Sequence, residues 1–154
     1  MIQIIPYYTK HQYSIDEMMQ GIASEFEESI SLPPEQVPAI LKILPNPYWI
    51  AVLGDKMVGT AGLAGMKNNF AALRRMFVDK SFCGMGLSET LLNMTLEAAK
   101  TYGADMIYLG TMAQFRAAQK FYEKHGFIQI CKEDLPNYFP LNPIDKVFYK
   151  LSLN

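Results

Sequence analysis

Between Arg75 and Ser88 the chain reads Arg-Met-Phe-Val-Asp-Lys-Ser-Phe-Cys-Gly-Met-Gly-Leu-Ser, an apolar strand that passes through a short polar turn into Gly84 and Gly86. Leu87, Leu91, Met94 and Ala98 follow at spacings of four, three and four, the apolar stripe of a helix that begins directly after Gly86. A strand that feeds a helix through glycine constrains the fold strongly. The chain must pack that helix on a sheet and return it to another strand.

The flanking sequence supplies the rest of the sheet. Ile2 to Tyr8 is rich in β-formers, and Ser14-Ile15-Asp16-Glu17 suggests an N-cap with acids in the first turn. Ile15, Met18, Met19, Ile22 and Phe26 predict a helix that ends before Pro33-Pro34, and a shorter one is expected from Pro34 to about Leu44. Tyr48–Leu53, the turn Gly54-Asp55, Met57–Met66, the turn Asn68-Asn69 and Phe70–Val78 read as an antiparallel meander. The pattern then alternates: helix Leu87–Tyr102, strand Met106–Leu109, helix Ala113–Lys124, strand Phe127–Cys131, and a last strand Val147–Leu151 after a Pro-rich loop, Leu135 to Pro143. Gly103 and Gly126 fall where helix-ending glycines belong. The expectation is one α/β domain over residues 1–154, a mixed sheet of about seven strands, antiparallel first and βαβ-like later, flanked by about four helices.

Half of the 154 residues are apolar, enough for a core without staples, and the net charge of −1 gives no bulk field toward nucleic acid or an anionic membrane. Cys83 and Cys131 match no metal or disulfide spacing, and no apolar run reaches the ~18 residues of a membrane span. With no signal-peptide pattern at Met1–Pro6, the expected setting is cytoplasmic, with no metal, nucleic-acid or membrane partner.

Any anion site must therefore be built locally, and the Gly84–Gly86 loop is where one would form. The first N–H groups of a helix lack internal partners, and the helix dipole favours negative charge there. A plain helix start with no ligand fits the same glycines. A nucleotide triphosphate loop would need Lys and Ser/Thr after the last glycine, where Leu87-Ser88 stand. A dinucleotide loop would need a third spaced glycine and an acid ending the next strand, which ends in Leu109-Gly110-Thr111.

Leu73–Val78, Cys83-Gly84-Met85-Gly86-Leu87-Ser88 and, about thirty residues on, Ala118-Gln119-Lys120-Phe121-Tyr122-Glu123-Lys124-His125-Gly126-Phe127 together resemble the GNAT family of N-acetyltransferases. The family patterns are Gln/Arg-x-x-Gly-x-Gly/Ala and Ala-x-x-Phe-Tyr-x-x-x-Gly-Phe. The resemblance covers at least Tyr48 to Cys131. It implies acetyl-CoA as cosubstrate and direct transfer of its acetyl group to a primary amine, with both substrates bound together. It also implies that main-chain groups of Met76, Phe77 and Val78 pair with the pantetheine arm, and that N–H groups of Cys83, Gly84, Met85, Gly86, Leu87 and Ser88 hold the pyrophosphate. By the same carry-over Phe121 packs near the cofactor and Tyr122 gives a proton to the departing sulfur.

The chain departs from the pattern at four places. Cys83 stands at the Gln/Arg position, Ser88 at the last Gly/Ala position, Phe115 where Asn is common, and Ala72 where an acid is common. The last removes an obvious general base. Glu25, Glu27 and Glu28, Glu133 and Asp134, and a water chain are the alternatives, while His125 is expected to decorate its helix end. Cys83, at a helix start, raises a covalent acyl-enzyme alternative. Arg74, Arg75, Lys80, Lys120 and Lys124 either meet the outer phosphates or are solvated cations. A non-catalytic acyl-CoA sensor or interaction module on the same fold is the second reading. The aromatic loop Leu135–Pro143 either lines the acceptor pocket, packs on the core or forms an interface, and a homodimer is a further possible partner.

Overall fold

The computed structural model, which describes residues 1–154, contains one sheet of seven strands with helices on both faces. The elements are β1 (Ile2–Pro6), α1 (Gln12–Ala23), α2 (Ala39–Lys42), β2 (Tyr48–Leu53), β3 (Lys56–Gly65), β4 (Phe70–Val78), α3 (Leu87–Thr101), β5 (Met106–Thr111), α4 (Arg116–Lys124), β6 (Ile128–Ile130) and β7 (Val147–Ser152). The strand order is β1-β2-β3-β4-β5-β7-β6, and only β4 and β5 run parallel. The α/β class and the mixed sheet of seven strands and four helices agree with the sequence. The second crossover differs: β7 inserts between β5 and β6, so the strand after α4 pairs antiparallel with β7.

Alternation along the strands divides the core in two. Leu63, Ala71 and Leu73 point to the α3 and α4 side and pack with Leu92, Ala99, Ile107, Leu109, Tyr122 and Tyr149. Ile50 and Tyr48 pack on the other face against Ile15, Met18 and Ile22 of α1, with Phe77 against them. Both faces of the sheet are thus covered.

Three boundaries moved for physical reasons. The expected helix Pro34–Leu44 is a single 3-10 turn, Pro34–Gln36, and a four-residue α2. Pro38 lacks an N–H and forces Val37 into extended backbone at φ −73°, ψ 122°, which interrupts the helix. Helix α1 ends at Ala23, and the chain unwinds through i,i+3 bonds at Glu25 and Phe26 rather than continuing to Phe26. Helix α4 starts at Arg116, not Ala113, because Gln119 Nε2 donates to the carbonyls of Met112 and Ala113 and holds that turn open.

Candidate active site

The parallel pairing of β4 with β5 stops early. It joins Phe70, Ala71 and Ala72 to Met106, Ile107 and Tyr108, and from Leu73 onward β4 has no strand beside it on that side. On its other side the register with β3 slips between Thr60 and Gly62, so that Arg75 and Met76 oppose the single residue Ala61. Arg75 takes φ +53° there, and its carbonyl accepts the Thr60 hydroxyl at 2.7 Å. The bulge bends β4 away from β5 and leaves backbone groups of Leu73–Val78 without partners along one edge.

That edge leads into the glycine loop. Asp79 ends the strand by accepting from the Ser81 N–H at 2.9 Å, and a 3-10 turn follows. Gly84 and Gly86 both take left-handed backbone, φ +79° and +85°, in open space. Conformation, not crowding, demands glycine at both. No backbone N–H from Gly84 to Glu89 donates to any protein group, and no side chain caps α3. A run of free N–H groups at a fifteen-residue helix's positive end suits a pyrophosphate. Of the residues expected at this site, the structure therefore brings Met76, Phe77 and Val78 into line with Gly84, Met85, Gly86, Leu87 and Ser88.

Cys83 contributes in a different way. Its N–H donates to the Lys80 carbonyl, and its thiol lies within 3.9 Å and 3.7 Å of the Val78 and Asp79 carbonyls. Partial desolvation, with Glu25 and Asp79 nearby, raises the thiol's pKa and keeps it protonated. This environment opposes a nucleophilic Cys83. Lys80 pairs with Glu25 at 3.8 Å, whereas Glu27, Glu28, Glu133 and Lys120 are simply exposed. Asp134 is exposed too and accepts from the Cys131 N–H.

Tyr122 lies in the core against Phe121, Phe127 and Tyr149, with ring centroids 5.4–6.0 Å apart. Burial pushes its phenol far above the ordinary value, with Asp145 adding to the shift. The hydroxyl makes no hydrogen bond, yet the one sealed side-chain atom without a partner is His125 Nε2. The Tyr122 oxygen is therefore not fully sealed from solvent. Phe121 is half-buried beside it and tilts against His125 at 4.5 Å. Phe115, which stands where Asn is common in the family pattern, joins Phe26 and Phe77 in an aromatic wall at 5.0 and 6.2 Å.

On the opposite face, between α2, the β3–β4 hairpin and the loop after β6, lies a cavity of about 560 Å³. Arg74 and Lys67 are its charged lining residues, and no acid lines it. Arg74 donates to the Ile43 and Leu41 carbonyls at 2.9 and 3.1 Å and Arg75 to Leu41 at 3.1 Å, and neither pairs with a carboxylate. Of the two roles open to these arginines, phosphate contact or solvated cation, the structure shows neither: both reach the carbonyls at the end of α2. Tyr138 closes the cavity by donating to the Lys67 carbonyl at 3.0 Å. No group of three or more His, Cys, Asp or Glu side chains is placed to hold a metal ion, and no helix is long and apolar enough to cross a membrane.

The family model described as Acetyltransferase (GNAT) family matches residues 15–127. The chain belongs to the GNAT acetyltransferase family. It is 30% identical over 120 residues to the uncharacterised N-acetyltransferase YsnE of Bacillus subtilis, covering 73% of this chain and 79% of that protein. It is 32% identical over 108 residues to the N-acetylaspartate synthetase of Danio rerio, but spans only 38% of that protein's length against 68% of its own. A GNAT acetyltransferase from Staphylococcus aureus Mu50 superposes with a TM-score of 0.88 at 32% identity over all of both chains. N-acetylglutamate synthase from Neisseria gonorrhoeae, solved with coenzyme A, shares the fold at a TM-score of 0.76 and 12% identity, over all of this chain and 35% of that one. GNAT membership places the chain among acetyltransferases, and it spans only about a third of the length of the N-acetylaspartate synthetases that it matches.

Proposed function

We propose that this GNAT domain transfers acetyl from acetyl-CoA directly to the primary amine of a small acceptor, both substrates being bound at once. The observation that carries the reading is the continuity of two unpaired backbone stretches. The open edge of β4, Leu73–Val78, runs into the free N–H groups of Gly84–Glu89. The edge suits an amide-bearing pantetheine arm, and the N–H run suits a pyrophosphate. The bound thioester supplies the activated acetyl group. An N–H of Met76–Val78 polarises its carbonyl, and the strand and loop hold it in line for attack. Tyr122, with its phenol kept neutral by burial and its hydroxyl unpartnered, donates the proton that the sulfur takes as it leaves.

The acceptor in this proposal carries a carboxylate as well as its amine. Arg74 and Lys67, unopposed by any acid in the cavity, favour an anionic group. The relatives named N-acetylaspartate synthetase point to the same class by their product.

Thiol release from acetyl-CoA, followed with the twenty L-amino acids and a set of primary alkylamines, tests both parts. A rise in melting temperature with acetyl-CoA and turnover favouring acidic amino acids is the expected result. A melting shift without turnover of any amine would make the chain an acyl-CoA sensor.

A further inference from the structure

We propose that Asp145, which precedes β7, is the catalytic residue that takes the proton from the attacking amine. The inference rests on the acetyltransferase reading and supplies the base that Ala72 leaves missing.

The placement follows from strand alternation. Leu109 points to the α3 and α4 side with Tyr149 and Tyr122, so Gly110, the next residue of β5, faces the other way. Tyr108 shares that face and packs on Phe70 at 5.5 Å. Asp145 lies over Gly110, with Oδ2 2.8 Å from the position a Cβ would occupy there. The loop is fixed by backbone bonds from Asp145 N to the Asn142 carbonyl and from Lys146 N to the Thr111 carbonyl, both 3.0 Å. Its carboxylate thus sits at the end of β5 beyond the point where β4 has left, on the face of the Arg74 cavity.

Tyr122 lies on the opposite, α3 and α4 side of the sheet, close enough to Asp145 to feel its charge. The Asp145 carboxylate raises the Tyr122 phenol further, but the two side chains share no hydrogen bond and neither has any other partner. Neither is sealed from solvent. Two unpartnered proton-exchanging groups within electrostatic reach of each other, one of them just beyond the point where β4 leaves β5, can serve as base and acid for one substrate. Asp145 also forms no ion pair with the adjacent Lys146, whose ammonium turns to the Pro143 carbonyl. Tyr122 from α4 and Lys146 on its own loop are the ionisable groups facing it, and β5 presents only Gly110. Burial lifts the carboxyl to about 6, against a small opposing pull from Lys146, so at neutral pH it is ionised and more basic than a surface aspartate.

The proton balance closes through the pair. As the amine nitrogen forms its bond to the acetyl carbon, its N–H becomes acidic and the proton passes to the Asp145 carboxylate. The C–S bond breaks, its electrons go to sulfur, and the sulfur takes the Tyr122 proton. Asp145 then returns its proton to the Tyr122 oxygen, and both groups are restored.

The test is thiol release from acetyl-CoA with the twenty L-amino acids and primary alkylamines, for wild type, Asp145→Asn and Asp145→Ala, between pH 5 and 8. Expected are a loss of kcat of roughly 100-fold or more in both variants, with KM for acetyl-CoA unchanged. The wild-type rate climbs through pH ~6, and that limb disappears in Asp145→Asn. Formate restores part of the Asp145→Ala rate. Retained turnover with an unaltered pH limb in Asp145→Asn overturns the assignment alone. Absence of wild-type turnover with every amine, while acetyl-CoA still raises the melting temperature, overturns the acetyltransferase reading and the assignment with it.

Discussion

Asp145 Oδ2 lies 2.8 Å from where a Cβ on Gly110 would stand, so one missing methyl group gives the carboxylate its seat at the end of β5. The neighbouring ring of Phe148 is 3.0 Å from the same point. Gly110→Ala therefore forces the flexible carboxylate aside and presses on Phe148. The expected cost in stability is about 1–2 kcal/mol, typical of overpacking, while kcat falls by about tenfold or more with KM for acetyl-CoA unchanged. Steady-state kinetics alongside a melting curve separate the two effects. Full activity in Gly110→Ala would show that the carboxylate's position is immaterial.

The same carboxylate should weaken the fold at neutral pH. Its value is about 6 in the native chain and 3.8 when unperturbed, so the stability it contributes is complete below about pH 3.8 and is lost as pH rises through 6. Ionising it in place costs on the order of 3 kcal/mol. Asp145→Asn, which mimics the protonated form, should raise the melting temperature at pH 8 by roughly 6–12 °C and change it little at pH 4. Activity and stability then move in opposite directions. Equal melting shifts at both pH values would contradict the buried, unpaired carboxylate.

Asp145 is invisible in the sequence for a physical reason. Periodicity and glycine placement read the strands and α3 well, because each signal is local: Leu87 and Leu91 are buried where the apolar stripe puts them, although further along Thr95 and Ala99 are buried and Met94 and Ala98 only half so. The loop was legible for the same reason, since helix-terminal N–H groups follow from the backbone alone. Asp145 carries no local signal. It matters because β7 returns beside β5, a long-range pairing that places Lys146 against Thr111. The roles of Arg74 and Arg75 stayed open because a strand's face cannot be read across a bulge, and Arg75–Met76 is that bulge. The Phe115 substitution was visible in the sequence, but its aromatic neighbours Phe26 and Phe77 come from elements far apart in the chain.

Gly86→Ala tests the loop without filling any space. Nothing lies within 4 Å of a Cβ at this position, so the penalty comes only from holding φ +85°. That strain is about 1–2 kcal/mol, and its relief turns the N–H groups away from their common target. KM for acetyl-CoA should rise roughly tenfold, as the loss of about 1.4 kcal/mol of phosphate binding requires. Isothermal titration with coenzyme A reads this directly. An unchanged affinity would remove the loop from cofactor binding.

Tyr122→Phe deletes a hydroxyl that has no partner in the protein. The ring packing on Phe127 and Tyr149 survives, so the melting temperature should barely move. Turnover should fall about 100-fold, the usual loss for a missing general acid, with coenzyme A affinity intact. Because Asp145 pushes the phenol further up, the Tyr122→Phe and Asp145→Asn losses should combine to less than their product, as for residues acting as one unit. A fully multiplicative double variant would mean that the two groups act in separate steps.

Arg74→Gln probes the acceptor end of the site. The guanidinium spends two donors on the Ile43 and Leu41 carbonyls, and burial together with Arg75 already lowers its pKa. Its remaining N–H groups and its charge have no acid to neutralise them within the chain. A substrate carboxylate in the adjacent cavity meets that need with a charge-assisted bond worth about 1.5–3 kcal/mol. Arg74→Gln should therefore cut kcat/KM for an acidic amino acid by roughly 10- to 100-fold and affect an uncharged alkylamine far less. The comparison between acceptors matters because Gln also loosens α2, and a loosened α2 would depress both substrates alike. Equal losses for the two would mean that Arg74 serves the fold, and that the carboxylate is held elsewhere or not at all.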